Sequence, residues 1–156
     1  MSEVVQGLMA HAIWGGFTAL LRRVAGRQIK IEDPRPQEVL QDPQPLGDSL
    51  SYRVRGTLKH IPRGHRIWLL VENERNGDVW PQGYQPVQHN PQTGQWEGRV
   101  RPGELGLIHA VVAPPTSDDF FSYYQRVGDH LTKWQPLARI PPECVNRDSV
   151  QAKTKP

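Results

Sequence analysis

The side chains best suited to chemistry are six histidines and a single cysteine. His11, His60, His65, His89, His109 and His130 form no HxH or HExxH pattern, and Cys144 has no CxxC partner. His60 and His65 flank a tight turn and, with Glu72 or Asp78, would make a zinc site if they converged. Solvated loop histidines are the simpler account. His109 lies inside an apolar run, where a histidine ordinarily donates to a carbonyl and serves structure. There is no GxSxG, and Ser117 reads as a helix cap. Asp118 and Asp119 read as partners of a helix dipole. Glu143 beside Cys144 raises a thiol pKa rather than lowering it. Trp14-Gly15-Gly16-Phe17 lacks the spacing of a phosphate cradle. These residues predict no catalytic group, no metal and no cofactor, and so a protein that is not an enzyme.

Two sets of residues point to binding. The five tryptophans and four tyrosines are many for 156 residues. Trp68 and Trp96 fall on core registers of predicted strands. Trp80, Tyr84 and Trp134 fall at strand or helix edges beside prolines, where they suit a flat ligand platform or core-edge packing. The second set is basic. Arg53, Arg55 and Lys59 share one strand face, and Arg99 and Arg101 share another. If the two strands join one sheet, five cations line a face for an anionic ligand. The interleaved Glu97 and the modest net charge of +3 favour a solvated face instead.

The elements that must position these residues are mostly strands. Fourteen glycines and fifteen prolines argue for a turn-rich β fold over a helix bundle. One cysteine excludes an internal disulfide framework. From Leu50 onward, short apolar runs alternate with turn signals. Tyr52, Val54 and Leu58 interleave with Arg53, Arg55 and Lys59, the period of a half-buried strand. Ile67 to Val71 is continuously apolar, as in a central strand buried on both faces. Leu105 to Ala113 is a second such run. Asn76-Gly77 marks a hairpin. Phe120, Tyr124, Val127 and Leu131 predict a helix over 117–133, weakened at Gly128. The predicted fold is mainly β: an Ig-like antiparallel β-sandwich over 50–152 with one crossover helix, a barrel being the alternative. Its expected core includes Ile67, Leu69, Val71, Val100, Ile108, Ala110 and Val112. Residues 28–49, with Pro34, Pro36, Pro43 and Pro45, read as a Pro-rich linker, and 153–156 as a frayed tail.

Gly56, Pro62 and Gly64, Ile67-Trp68-Leu69, Trp80-Pro81-Gln82, Gly94 and Trp96, and Ala110 to Ala113 follow in an ordered series. In that order they resemble a recurring bacterial β-sandwich domain family, over about residues 56 to 113. The resemblance implies a module that often follows a membrane segment or is joined to other modules. It carries over no catalytic residue.

Residues 1–27 predict an amphipathic or membrane-anchoring helix. Val4 to Leu21 holds only Gln6 and His11 as strongly polar residues. That stretch spans ~27 Å as a helix, slightly short of a hydrocarbon core. Leu8, Ile13, Phe17, Leu20 and Leu21 lie on its apolar stripe, and Trp14 and Arg22-Arg23 suit an interface. The expected partners are a membrane, another protein or a second copy of the chain. The expected location is the cytoplasm or the cytoplasmic face of a membrane. The sequence therefore predicts a non-enzymatic recognition or scaffold module tethered by its first helix. The alternative is a sensor domain for a carbohydrate or nucleotide.

Overall fold

The computed structural model describes residues 28–103 and 106–154. The elements run β1 (Ile29–Asp33), β2 (Gln41–Leu46), β3 (Ser49–Leu58), β4 (Arg66–Asn73), β5 (Val79–Val87), β6 (Gln95–Val100), β7 (Gly106–Ala113), α1 (Pro115–Leu131) and β8 (Arg147–Gln151). Every strand pairing is antiparallel. In the first sheet the long β3 is central. β6 pairs with it along one edge, while β1 and β2 share the other edge end to end. The second sheet has the order β5-β4-β7-β8.

The two sheets enclose one core. Ile29, Ile31, Val54, Leu58, Trp96 and Val100 from the first meet Ile67, Leu69, Val71, Ile108, Ala110, Val112 and Val150 from the second. All seven residues expected in the core are buried. The alternate residues of β4 and β7 face the other way. Trp68, Leu70, Val111 and Ala113 pack with Phe121 of α1 and with Cys144. This is why Ile67 to Val71 is apolar without alternation: a helix covers one face of the strand and a sheet covers the other. Trp68 is fully buried. Its ring lies 5.4 Å from Phe121, and its indole nitrogen donates to Asp118 Oδ1 at 2.8 Å.

Several expectations need correction. Residues 28–49 are not a linker. They form β1 and β2, and Ile29, Ile31 and Leu40 belong to the core. Four prolines hid this, yet Pro43 and Pro45 sit on a fully exposed edge strand with an irregular register, where a missing N–H costs little. The tail is tied at least to Lys153, which bridges to Val39 and accepts from the Leu40 N–H at 2.8 Å. The helix begins at Pro115, with Pro114 at its N-cap, so Ser117 lies in the first turn. Proline suits that start because the first N–H groups of a helix lack partners anyway. The expectations for residues 1–27 lie outside the described residues.

Candidate functional site

Trp80, Tyr84 and Trp134 line one mostly apolar cleft of about 480 Å³. Trp80 and Tyr84 come from β5, an edge strand. Between them Gly83 takes φ of +77°, a conformation open to glycine, and the pairing with β4 shifts register there. The break re-aims the strand and leaves Tyr84 60% exposed.

Trp134 arrives from the other side. Helix α1 stops at Thr132, whose backbone is left-handed, and the chain turns back so that the indole lies over Gly128. A methyl group at 128 would collide with that ring. Gly128, read from sequence as a weak point of the helix, is the seat of Trp134.

Three hydrogen bonds fix this wall. The Trp134 indole nitrogen donates to Gln125 Oε1 at 3.1 Å. Gln125 Nε2 donates to the Pro81 carbonyl at 2.7 Å, joining helix to edge strand. The Tyr124 hydroxyl donates to the Gln135 carbonyl at 2.5 Å, and burial raises its pKa. Val79 and Leu137 exchange backbone bonds of 2.9 and 2.8 Å, so the returning segment runs beside β5. Across the cleft, Gln82 Oε1 accepts from the Arg101 N–H at 2.7 Å, and Gln82 Nε2 donates to the Trp80 carbonyl at 3.1 Å. The walls are thus held before any ligand arrives. Tyr124, Gln125 and Gln82 were missed in the sequence. The available signal was a lone glutamine on the apolar side of the helix, beside Tyr124.

The basic set does not form one free cationic face. Arg53 and Arg99 are direct cross-strand partners and Arg55 follows on β3, but carboxylates neutralise them. Arg55 Nη2 lies 3.0 Å from Asp33 Oδ2, and Arg99 Nη1 lies 3.0 Å from Asp42 Oδ2. Arg53 stands 3.9 Å from each of the same aspartates. Arg99 also donates through Nε to Ser51 Oγ and through Nη2 to the Ser51 carbonyl, both at 2.9 Å. Lys59 lies exposed beyond the end of β3, and Arg101 lies at the cleft instead. A larger trough of about 1010 Å³ crosses β1, β3 and β6. Its charges balance, with Lys30, Arg35 and Arg55 against Glu32, Asp33 and Glu97.

The remaining chemistry-bearing groups are dispersed. His60 is exposed, and His65 Nδ1 lies 3.2 Å from the Arg63 carbonyl oxygen. Among the described residues, no three His, Cys, Asp or Glu side chains gather as a metal site. Cys144 is buried, which pushes its thiol pKa up. Ser117 donates to Glu143 Oε1 at 2.7 Å.

His109 is not paired to a carbonyl, as the sequence suggested. It stands between Ser149 Oγ and Glu72 Oε2, each 2.6 Å from a ring nitrogen. A carboxylate only accepts, so Nε2 carries the proton toward Glu72 and Ser149 donates to Nδ1. This chain has the connectivity of a nucleophile, base and acid. Neither cavity includes any of the three residues. They cross-link three adjacent strands, and burial holds the His109 pKa below its usual value against the opposing pull of Glu72.

No family model, curated protein or solved structure matches the chain. Among the described residues, no helix is long and apolar enough to cross a membrane.

Proposed function

We propose that this chain is a non-enzymatic recognition module, built as an Ig-like sandwich, that takes a small ligand in the cleft of Trp80, Tyr84 and Trp134. The strand order supports the Ig-like reading. With β1, β3, β4, β5, β6, β7 and β8 labelled A, B, C, C′, E, F and G, the sheets are A-B-E and C′-C-F-G. β2 is then an added arm, and α1 fills the F–G connection. The observation that carries the function is the preformed cleft. It gathers aromatics from β5 and from the segment after α1, and its volume suits a small molecule.

The apolar stripe of residues 1–27 supports tethering of this module to a membrane or partner, which agrees with the bacterial resemblance. A cytoplasmic setting, on or off the membrane, goes with that tether.

The test is a panel of small aromatic compounds and disaccharides added to the full chain, followed through indole N–H signals in NMR. Recognition at the cleft requires some compounds to move the Trp80 and Trp134 signals while those of Trp68 and Trp96 stay in place. A panel that moves none of them, or all four alike, removes the reading.

A further inference from the structure

We infer that the ligand of this cleft is an aromatic anion: a flat ring system carrying a phosphate or carboxylate. The inference rests on the cleft being the ligand site, and it follows from which polar groups remain uncommitted there.

The amide and serine oxygens of the lining each already accept a hydrogen bond. Gln82 Oε1 takes the Arg101 N–H, Gln125 Oε1 takes the Trp134 indole, and Asn73 Oδ1 takes the Arg75 N–H at 2.9 Å. Ser51 Oγ takes Arg99 Nε. None of the described lining residues is Asp or Glu. Arg99 is spent on Ser51 and Asp42.

Four side-chain groups lining the cleft have no hydrogen-bond partner within the described residues. They are the Trp80 indole N–H, the Tyr84 hydroxyl, the Asn73 amide N–H2 and the Arg101 guanidinium. All four can donate, three of them donating only and the Tyr84 hydroxyl also able to accept, and Arg101 brings a permanent charge with no ion-pair partner among the described residues. A bound acceptor with negative charge satisfies this set, and charge-assisted bonds of that kind are the strong ones.

A neutral sugar matches the same set less well, because each hydroxyl also brings a donor, no described lining residue is a carboxylate, and the amide and serine oxygens already hold one hydrogen bond each. The apolar part of the ligand is set by the rings. Trp80, Tyr84 and Trp134 make no ring contact with one another, and Tyr84 is 60% exposed, so a flat partner can lie on the tyrosine between the two indole walls.

Isothermal titration of the full chain tests this with six probes. Adenosine 5′-monophosphate and 2-naphthoate are the aromatic anions, and adenosine and 2-naphthalenemethanol are their neutral counterparts. Inorganic phosphate is the anion without a ring, and cellobiose is the neutral sugar. At least one aromatic anion is expected to bind about tenfold or more tighter than its neutral counterpart, the scale of one charge-assisted contact. Whichever anion binds names the headgroup. Arg101→Gln should bring the pair to near equality without changing the neutral probe. Tyr84→Ala, at an exposed position, should weaken both members of the pair. Cellobiose or the neutral rings binding as well as the anions, with no dependence on Arg101, overturns the ligand class and leaves the cleft standing. Inorganic phosphate binding as tightly as the aromatic anions overturns the need for a ring. If no probe binds, and the indole signals also stay still across the wider panel, both readings fall.

Discussion

The cleft and the arginine face of the first sheet started as equals, two groups of residues whose types suit binding. They ended differently. The three arginines of the face meet Asp33 and Asp42 and are held in ion pairs within the chain. The cleft keeps the donors of Asn73, Trp80, Tyr84 and Arg101 without partners among the described residues, and it leaves Tyr84 60% exposed. Charge on a strand is a poor guide to a free surface, because opposite charges from elsewhere in the chain can cancel it. Large aromatics beside prolines on an edge strand are a better guide, because no further strand arrives to cover them. The lesson is about partners: Arg53, Arg55 and Arg99 found theirs inside the fold, and the Trp80 indole N–H and the Tyr84 hydroxyl found none among the described residues.

The largest effect expected from this comparison comes from the segment that supplies both aspartates. A chain beginning at Leu46 loses β1, most of β2 and the buried Ile29, Ile31 and Leu40. It should lose cooperative thermal unfolding altogether, whereas a chain beginning at Gln28 should keep it. Cooperative melting of the shorter chain would restore the linker and show that the arginine face needs neither aspartate for folding.

Next comes the contrast between tryptophans. Trp68→Ala empties a fully buried site between β4 and α1 and strands Asp118, at a cost of about 3–5 kcal/mol. Trp80→Ala, on the half-buried cleft wall, should cost clearly less and abolish ligand-dependent shifts. Denaturant melts of the two variants separate a structural wall from a binding one.

Gly128→Val sharpens the cleft specifically. The added branches meet the Trp134 ring, so the indole must leave its seat, at about 1–3 kcal/mol of overpacking. The Trp134 indole signal should move while that of Trp96 stays. A silent Trp134 signal would show that the cleft wall does not depend on this contact.

A pH effect should arise outside both regions, at His109. Its folded pKa lies below the unfolded value of 6.5, chiefly because the ring is buried. Between those two values the unfolded chain binds more protons. The stability contributed by the neutral ring is therefore complete above about 6.5 and is lost as pH falls toward the folded value. His109→Gln should flatten that acid slope in denaturant midpoints measured across the range. An unchanged slope would place the proton uptake elsewhere.

The smallest effect belongs to Asp42→Asn. The pair with Arg99 is substantially exposed, so the loss should be within about 1 kcal/mol. The released arginines should then make the outer face bind inorganic phosphate in a salt-sensitive way. No gain in phosphate binding would mean that the aspartate was not what occupied the face.

Much of the fold was legible in local pattern. The run Ile67 to Val71 announced a strand covered on both sides, and Trp68 and Trp96 were recognisable as core from their registers. The helix showed in the spacing of Phe120, Tyr124, Val127 and Leu131, displaced by two residues because Pro114 and Pro115 start it. β1 and β2 were not legible. Four prolines in the twenty-two residues 28–49 outweighed Ile29 and Ile31, and only the long edge of β3 gives such a segment a place to pair. At the cleft, the aromatics were visible singly. Gln82 and Gln125 were not, because a bridging glutamine declares itself only when both ends of its amide find partners.

The sequence by itself determined the period of the strands, the turns between them, the presence of a helix, and that Trp68 and Trp96 belong to the core. These are local properties, set by side chains within a few residues of each other. Tertiary structure alone decided which charges cancel and which donors stay free. Arg99 meets Asp42 across fifty-seven positions, and Gln125 meets Pro81 across forty-four. Hydrogen bonds and ion pairs act over a few ångströms, so their partners exist only once the sheets and the helix have brought distant residues together.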